Sequence, residues 1–301
     1  STGWREDMVG PNKPINTNEF FVICINSLGS CFGSTSPISI NPETDEPYRL
    51  SFPVLSVEDI ANAANELLKV LDITVLHAVI GPSMGGMSAL SFCQLHPGKA
   101  KRLVSISSAA RSSPFSIALR SLQREIIRND PSWENGAYDL NGNGPISGMR
   151  LARKLGMITY RSAKEWSARF GRERAMEKDL KSGAFGVDFE IESYLESHAN
   201  KFIGAFDPNC YLYLSRAMDL FDASDPDGNL ENSFKQLKLE EALIIGVETD
   251  LLFPISQQEE LAEALEKYVN KVRLVRLDSL QGHDSFLVDM DRFRPVISSF
   301  I

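Results

Sequence analysis

Between residues 75 and 97 an apolar run, a five-residue turn and a helical pattern follow one another without a gap. No other part of the chain restricts the fold as strongly. VLHAVI at 75–80 reads as a buried strand, and GMSALSFCQLHP at 86–97 reads as a helix stopped by Pro97. Between them lies Gly81-Pro82-Ser83-Met84-Gly85. A strand that becomes a helix within five residues needs a turn too tight for side chains at its flanks, which predicts the glycines at 81 and 85. The strain of such a turn lifts the Ser83 hydroxyl above the sheet. The backbone N–H of Met84 and the helix N-terminus then face the same space, where a developing negative charge is stabilised. By chance alone G-x-S-x-G is a weak pattern, and a structural serine is its plain alternative. Between a strand and a helix it is the setting of an activated nucleophile.

The neighbouring segments continue the alternation. FFVICIN at 20–26 is a β-branched and aromatic run that predicts a buried strand. SVEDIANAANELLKVL at 56–71 opens with Ser56 and Asp59 at capping-box spacing. Its Ile60, Ala64, Leu67, Leu68 and Leu71 fall on one helical face. RLVSIS at 102–107 predicts a further strand. Strand–helix–strand order means parallel pairing through helical crossovers, an α/β fold. Residues 111–235 lose this rhythm and read as a helical insertion. Its polar breaks at 129–147 and 222–233 read as loops, and its aromatic run 206–221 reads as a packed helix. Tyr211, Tyr213 and Phe221 there are core residues rather than ligand contacts. Residues 236–301 return to α/β, with a strand at 242–247, a helix at 256–268 and an alternating outer strand at 271–277. A last helix begins near Ser285. The expected organisation is a first core part at 1–110, a helical lid at 111–235 and a second core part at 236–301.

Composition decides which partners are excluded. Lys and Arg total 31 against 40 Asp and Glu, a net charge of -9. That argues against nucleic acid and against an anionic membrane surface as main partners. No apolar run approaches the ~20 residues that cross a bilayer. The cysteines at 24, 31, 93 and 210 form no CxxC pair and no zinc spacing with histidine. They read as small buried hydrophobes in a reducing, cytoplasmic setting, with no metal site.

A nucleophilic serine needs a base, and the base needs an orienting carboxylate. Four histidines are available. His77 lies in the strand before the turn and points into the sheet packing; His96 ends a helix; His198 precedes any acid placed after the 242–247 strand. His283, in Gln281-Gly282-His283-Asp284, follows the last strand and is the expected base. After the strand at 242–247 come Glu248, Thr249 and Asp250. Asp250 is the preferred acid and Glu248 the second choice. The order serine, acid, histidine is that of α/β-hydrolases.

Several stretches together resemble the homoserine O-acetyltransferase family of α/β-hydrolase-fold amino-acid O-acyltransferases. They are NSLGSCFGSTSP at 26–37, GPSMGGMSAL at 81–90, GMRLARKLGMITYRSAKEWSARFGR at 148–172, SYLESHANKF at 193–202, DPNCYLYLSRAMDLFD at 207–222, TDLLFP at 249–254 and GHDSFL at 282–287. They span nearly the whole chain in order. The local wording at 117–125 and 147–162 looks most like the serine O-succinyltransferase branch, with homoserine O-acetyltransferase close behind. The resemblance implies Ser83 as nucleophile, Asp250 as acid, His283 as base and the Met84 N–H as oxyanion donor. It implies Arg153 on the amino-acid carboxylate, with Tyr160 two helical turns along the same face, and Asp284 on the ammonium. A zwitterion asks for one fixed cation and one fixed anion, and Arg offers a fork for a carboxylate. Without the resemblance, Arg153 reads as a solvated helix residue, Tyr160 as core and Asp284 as a loop residue.

The implied reaction is ping-pong transfer from acyl-CoA, succinyl or acetyl, to an amino-acid hydroxyl, with acyl-CoA as co-substrate and no bound cofactor. Arg111, Arg120 and Arg124 near the lid entry are candidates for the CoA phosphates; each also reads as a solvated surface arginine. A homodimer through the lid, over the helix read at 193–221, is a further implication. In that fold the strand at 20–26 counts as the fourth. The earlier strands, and the His-x-Leu-x-Gly loop that supplies the second oxyanion donor, are then missing from these 301 residues.

Overall fold

The computed structural model describes residues 4–142, 144–176 and 185–301. The first long helix, α1 (Val57–Val70), opens with the capping box: the Asp59 N–H donates to Ser56 Oγ at 3.1 Å and the Ser56 N–H to Asp59 Oδ2 at 2.9 Å. It buries Val57, Ile60, Ala61 and Leu68, whereas Leu71 is exposed. Strand β1 (Leu76–Pro82) leads through the turn into α2 (Met84–Leu95), and β2 (Ala100–Ile106) follows. Helices α3 (Pro114–Arg128), α4 (Ile146–Tyr160), α5 (Ala163–Phe170), α6 (Glu190–Phe202) and α7 (Pro208–Leu220) lie between β2 and β3. Then come β3 (Glu241–Val247), α8 (Ile255–Glu266), β4 (Lys271–Leu277), α9 (Ser285–Val288) and α10 (Met290–Ser298).

The four strands form one parallel sheet in the order β1-β2-β3-β4, with Ile80 opposite Val104, Val104 opposite Leu243 and Leu243 opposite Arg273. Inner strand β3 is buried from Ala242 to Val247, as an apolar run covered on both faces must be. Its side chains divide by period two. Ala242 and Ile244 join one core with Met87, Leu90, Leu261 and Leu265, while Leu243, Ile245 and Val247 join another with Phe286, Phe293 and Ile297. Edge strand β4 exposes Lys271, Arg273 and Arg276.

Several sequence expectations need correction. Residues 20–26 form no strand; Phe21 is 81% exposed, and Phe20 rests against His77 with 4.7 Å between ring centroids. A β-branched run becomes a strand only where a neighbour accepts its backbone hydrogen bonds, and these residues pair with none of the four strands. His77 is exposed rather than packed inside the sheet, and Arg102 Nη1 donates to its Nε2 at 2.6 Å. The two polar breaks are not purely loops: 131–136 forms a 3-10 turn and 230–233 one helical turn. The segment 193–221 is two helices, α6 and α7, and the last helix is broken at Asp289. Cys93 and Cys210 are buried, but Cys24 is exposed and Cys31 half-buried. The break at 129–147 includes residue 143, and the insertion read at 111–235 includes 143 and 177–184, which lie outside the described residues.

Candidate active site

The turn after β1 is strained where the sequence requires it. Ser83 has φ 52° and ψ −123°, a left-handed backbone for a non-glycine residue, and caps α2 with its N–H donating to the Ile106 carbonyl at 2.8 Å. A Cβ at Gly81 would lie 2.0 Å from the Gly85 carbonyl oxygen. The second constrained glycine is Gly86 rather than Gly85. A Cβ there would lie 2.5 Å from the Ser108 Cβ, whereas at Gly85 the nearest atom is 3.4 Å away. Close approach of α2 to the segment after β2, not the bend itself, sets that second requirement.

The strand ends bring three side chains together. His283 Nε2 lies 2.8 Å from Ser83 Oγ, and His283 Nδ1 lies 2.8 Å from Asp250 Oδ2. Asp250 Oδ1 accepts the N–H groups of Leu252 and Phe253 at 2.9 and 3.0 Å, so the loop after β3 fixes the carboxylate. Glu248 is exposed, His96 bonds Asn62 at 3.0 Å and His198 lies tilted against Tyr194 with 4.1 Å between ring centroids. The imidazole is 5% exposed and stands against Phe253 at 5.1 Å and Phe286 at 5.5 Å. Burial works to lower the His283 pKa, but the charge and hydrogen bond of Asp250, with Asp284 beyond, outweigh it and leave it raised. This array can take a proton from Ser83 Oγ, hold it on Nε2 and return it. The Met84 N–H is the first of α2, one of the donors that a helix leaves free at its start.

Two opposite charges, Arg153 and Asp284, act on Tyr160 beside the imidazole. Arg153, in the middle of α4, stands over the Phe202 ring at 4.7 Å and the Tyr160 ring at 5.7 Å. Its buried Nε finds no hydrogen-bond partner among the described residues. A guanidinium held by two rings, with its buried Nε–H left without an acceptor, is poised for an anion. Asp284 is half-buried, and burial raises its pKa against the opposing charges of Arg161, His283 and Arg153. Tyr160 lies 6.2 Å from His283 between ring centroids, and burial raises its phenol pKa.

Sequence reasoning missed Arg161. Its Nε donates to Asp284 Oδ2 at 3.2 Å and its Nη1 bonds Gln281. Ser162 bonds the Leu280 carbonyl, and a Cβ on Gly282 (φ 65°) would lie 2.9 Å from the Arg161 carbonyl carbon. The end of α4 thus clasps the loop that carries His283. Tyr160-Arg161-Ser162 at the end of the helix that carries Arg153 was the available signal. The loop at 27–36 lies within the stretch 26–37 that carries part of the resemblance, but sequence reasoning assigns it no role. The Gly29 N–H donates to the Thr35 carbonyl at 2.8 Å, and Leu28 packs in the same cluster as Met84.

The three arginines read as solvated surface residues are instead held by protein groups. Arg120 is buried and donates to Asp219 Oδ1 at 2.6 Å and to Ser112 at 2.5 Å; Arg124 donates to Asp219 Oδ2 at 2.6 Å. Arg111 pairs with Glu260 and donates to Ser224 at 2.9 Å. Among the described residues no cluster of His, Cys, Asp and Glu could hold a metal, and no helix is long and apolar enough to cross a membrane.

Comparison with known proteins bears on the fold and the family. Residues 2–289 match the model of the α/β-hydrolase fold family. A serine O-succinyltransferase of Stenotrophomonas maltophilia (strain K279a) is 53% identical over 100% of this chain and 81% of its own. The homoserine O-acetyltransferase of Bacillus anthracis superposes with TM-score 0.89 at 27% identity, covering 100% of this chain and 81% of that one. Esterase E22 superposes with TM-score 0.86 at 29% identity, covering 99% and 82%. A match to the fold-family model over residues 2–289, with a relative 53% identical over the whole chain, places the protein in a family: it belongs to the α/β-hydrolase fold family and, within it, to the O-acyltransferases that resemble homoserine O-acetyltransferase.

Proposed function

We propose that the protein moves a succinyl group from succinyl-CoA, through an acyl-enzyme on Ser83, to the hydroxyl of L-serine. The observation that carries an amino-acid acceptor is the pair of opposite charges, Arg153 and Asp284, that both act on Tyr160, whose ring lies 6.2 Å from that of His283. The relatives named serine O-succinyltransferase support the donor and the acceptor.

In this reading His283 Nε2 takes the Ser83 proton as Oγ attacks the thioester carbonyl. The oxyanion rests on the Met84 N–H, with the loop at Ser27–Ser36 as the source of a second donor. Collapse releases the CoA sulfur, which takes the proton from His283. The amino acid then enters with its carboxylate on Arg153, beside Tyr160, and its ammonium on Asp284. His283 takes its hydroxyl proton as the new ester forms, and Ser83 Oγ leaves with that proton. Water competes at the second step, and the buried, ring-lined imidazole disfavours it. Asp250 holds the imidazole in the tautomer that both steps need.

Homoserine is longer than serine by one methylene, a difference worth only about 1–3 kcal/mol in a pocket. The acceptor is therefore assigned from the relatives rather than from the cavity. We further assign residues 111–235 to a lid, the protein to the cytoplasm and its assembly to a homodimer. Phe115 and Leu122, seven residues apart on α3 and 54% and 48% exposed, support a covered face there. The test is thiol release from succinyl-CoA and acetyl-CoA, each with L-serine, L-homoserine or no acceptor, beside Ser83→Ala. Release that needs serine and succinyl-CoA and vanishes in the variant supports the proposal. Release without an acceptor makes the protein a hydrolase, as the likeness to esterase E22 would have it.

A further inference from the structure

Helix α3 carries three arginines at intervals of four residues, Arg120, Arg124 and Arg128. At 1.5 Å per residue they climb about 6 Å at each step, drifting slowly around the helix. Arg120, at the inner end, is buried and contributes to the field at His283 and Tyr160. Arg128, at the outer end, is exposed. The outer two line a cavity of about 970 Å³ between α3 and α7, with Arg216 of α7 on its wall. Asp219 joins the two regions, because one of its oxygens holds Arg120 and the other holds Arg124. One carboxylate cannot neutralise two guanidiniums, so a positive charge is left over. Among the described residues Arg128 and Arg216 have no carboxylate partner; Arg128 stands 5.9 Å over the Trp133 ring. Glu125 is the only other acidic residue on the wall among the described residues. The wall therefore carries three guanidiniums against two carboxylates, and one of these, Asp219, is shared with buried Arg120, in a protein whose net charge is -9. The apolar exposed residues Phe115 and Leu122 lie on the opposite side of α3.

We propose that this groove docks the phosphorylated nucleotide end of the acyl-CoA donor. Arg128 and Arg216 take phosphate oxygens, and the ladder along α3 leads the thioester inward toward Ser83. Guanidinium forks suit phosphate, and a local basic groove on an acidic protein steers a polyanion to one place. The inference rests on the reading that the donor is acyl-CoA.

The experiment is calorimetric titration of the full chain with CoA, 3'-dephospho-CoA and pantetheine, with Arg128→Gln, Arg216→Gln, their double variant and Glu125→Gln. The parent is expected to bind CoA at least about tenfold more tightly than pantetheine, with 3'-dephospho-CoA between them and the preference falling as salt rises. The double variant is expected to lose that preference while binding pantetheine as before, and Glu125→Gln is expected to bind CoA more tightly than the parent. Tightening by Glu125→Gln is a change of sign that mere disturbance of the groove would not give. A parent that prefers CoA, with variants that keep the preference in full, overturns the groove and leaves the donor reading intact. A parent that binds CoA no better than pantetheine overturns the groove. If succinyl-CoA and acetyl-CoA also release no thiol, the donor reading falls with it.

Discussion

Replacing Asp250 by Asn tests the array with little change of shape. The carboxylate accepts three hydrogen bonds, the Leu252 and Phe253 N–H groups on Oδ1 and His283 on Oδ2. An Asn side chain keeps the first two, because its carbonyl oxygen takes the place of Oδ1. Its amide nitrogen then faces His283 Nδ1 and donates where the carboxylate accepted. Nδ1 must become the acceptor, so the imidazole proton moves to Nε2, 2.8 Å from Ser83 Oγ. An Nε2 that already carries a proton cannot take another. The loss is set by the tautomer rather than by the fold, and a wrong tautomer of this kind costs about 10⁴ in kcat. At about 1.36 kcal/mol per decade this is about 5 kcal/mol of transition-state stabilisation. The assay is thiol release under saturating donor and acceptor, with circular dichroism and thermal melting beside it. Unchanged secondary structure with a loss near four decades is the expected pair of results. A folded variant within tenfold of the parent would refute the assignment of Asp250 as the orienting acid.

Gly86→Ala should destabilise by about 1–3 kcal/mol through contact with Ser108, while Gly85→Ala should be mild, and a pair of thermal melts separates them. Arg153→Gln should raise the KM for the amino acid by tenfold or more with little effect on the KM for the thioester, seen by varying each substrate in turn. Arg161→Gln should weaken acceptor binding and move the acidic limb of the pH profile, because Asp284 loses the cation that opposes its raised pKa. His283 must be neutral to act, and its pKa is raised, so kcat/KM should rise with pH through a midpoint above the ordinary histidine value. Stability should run the other way. A pKa higher in the folded state favours the protonated form there, so this contribution is complete below the unfolded-state value of 6.5 and is lost as pH rises through the folded-state value. Melting of the parent and of His283→Gln across that range checks the sign.

What the sequence determined by itself is local or carried by order along the chain. Gly81 and Ser83 between an apolar run and a helical pattern specify the strained turn, because the clash of a Cβ with the Gly85 carbonyl arises within five residues. The order Ser83, Asp250, His283 follows strand ends, and the alternation in β4 announces an edge. What depends on distant neighbours was not legible. Residues 20–26 have the composition of a strand, yet a strand is a pairing and its partner lies elsewhere in the chain or nowhere. Arg120 has the spacing of a solvated residue until α7 brings Asp219 against it, and Arg161 is an ordinary helix-end arginine until the His283 loop closes over it. Gly86 looks free until α2 meets Ser108. Steric limits on a few consecutive residues are written in their types, but the burial and pairing of a charge exist only once the tertiary fold has removed water from around it.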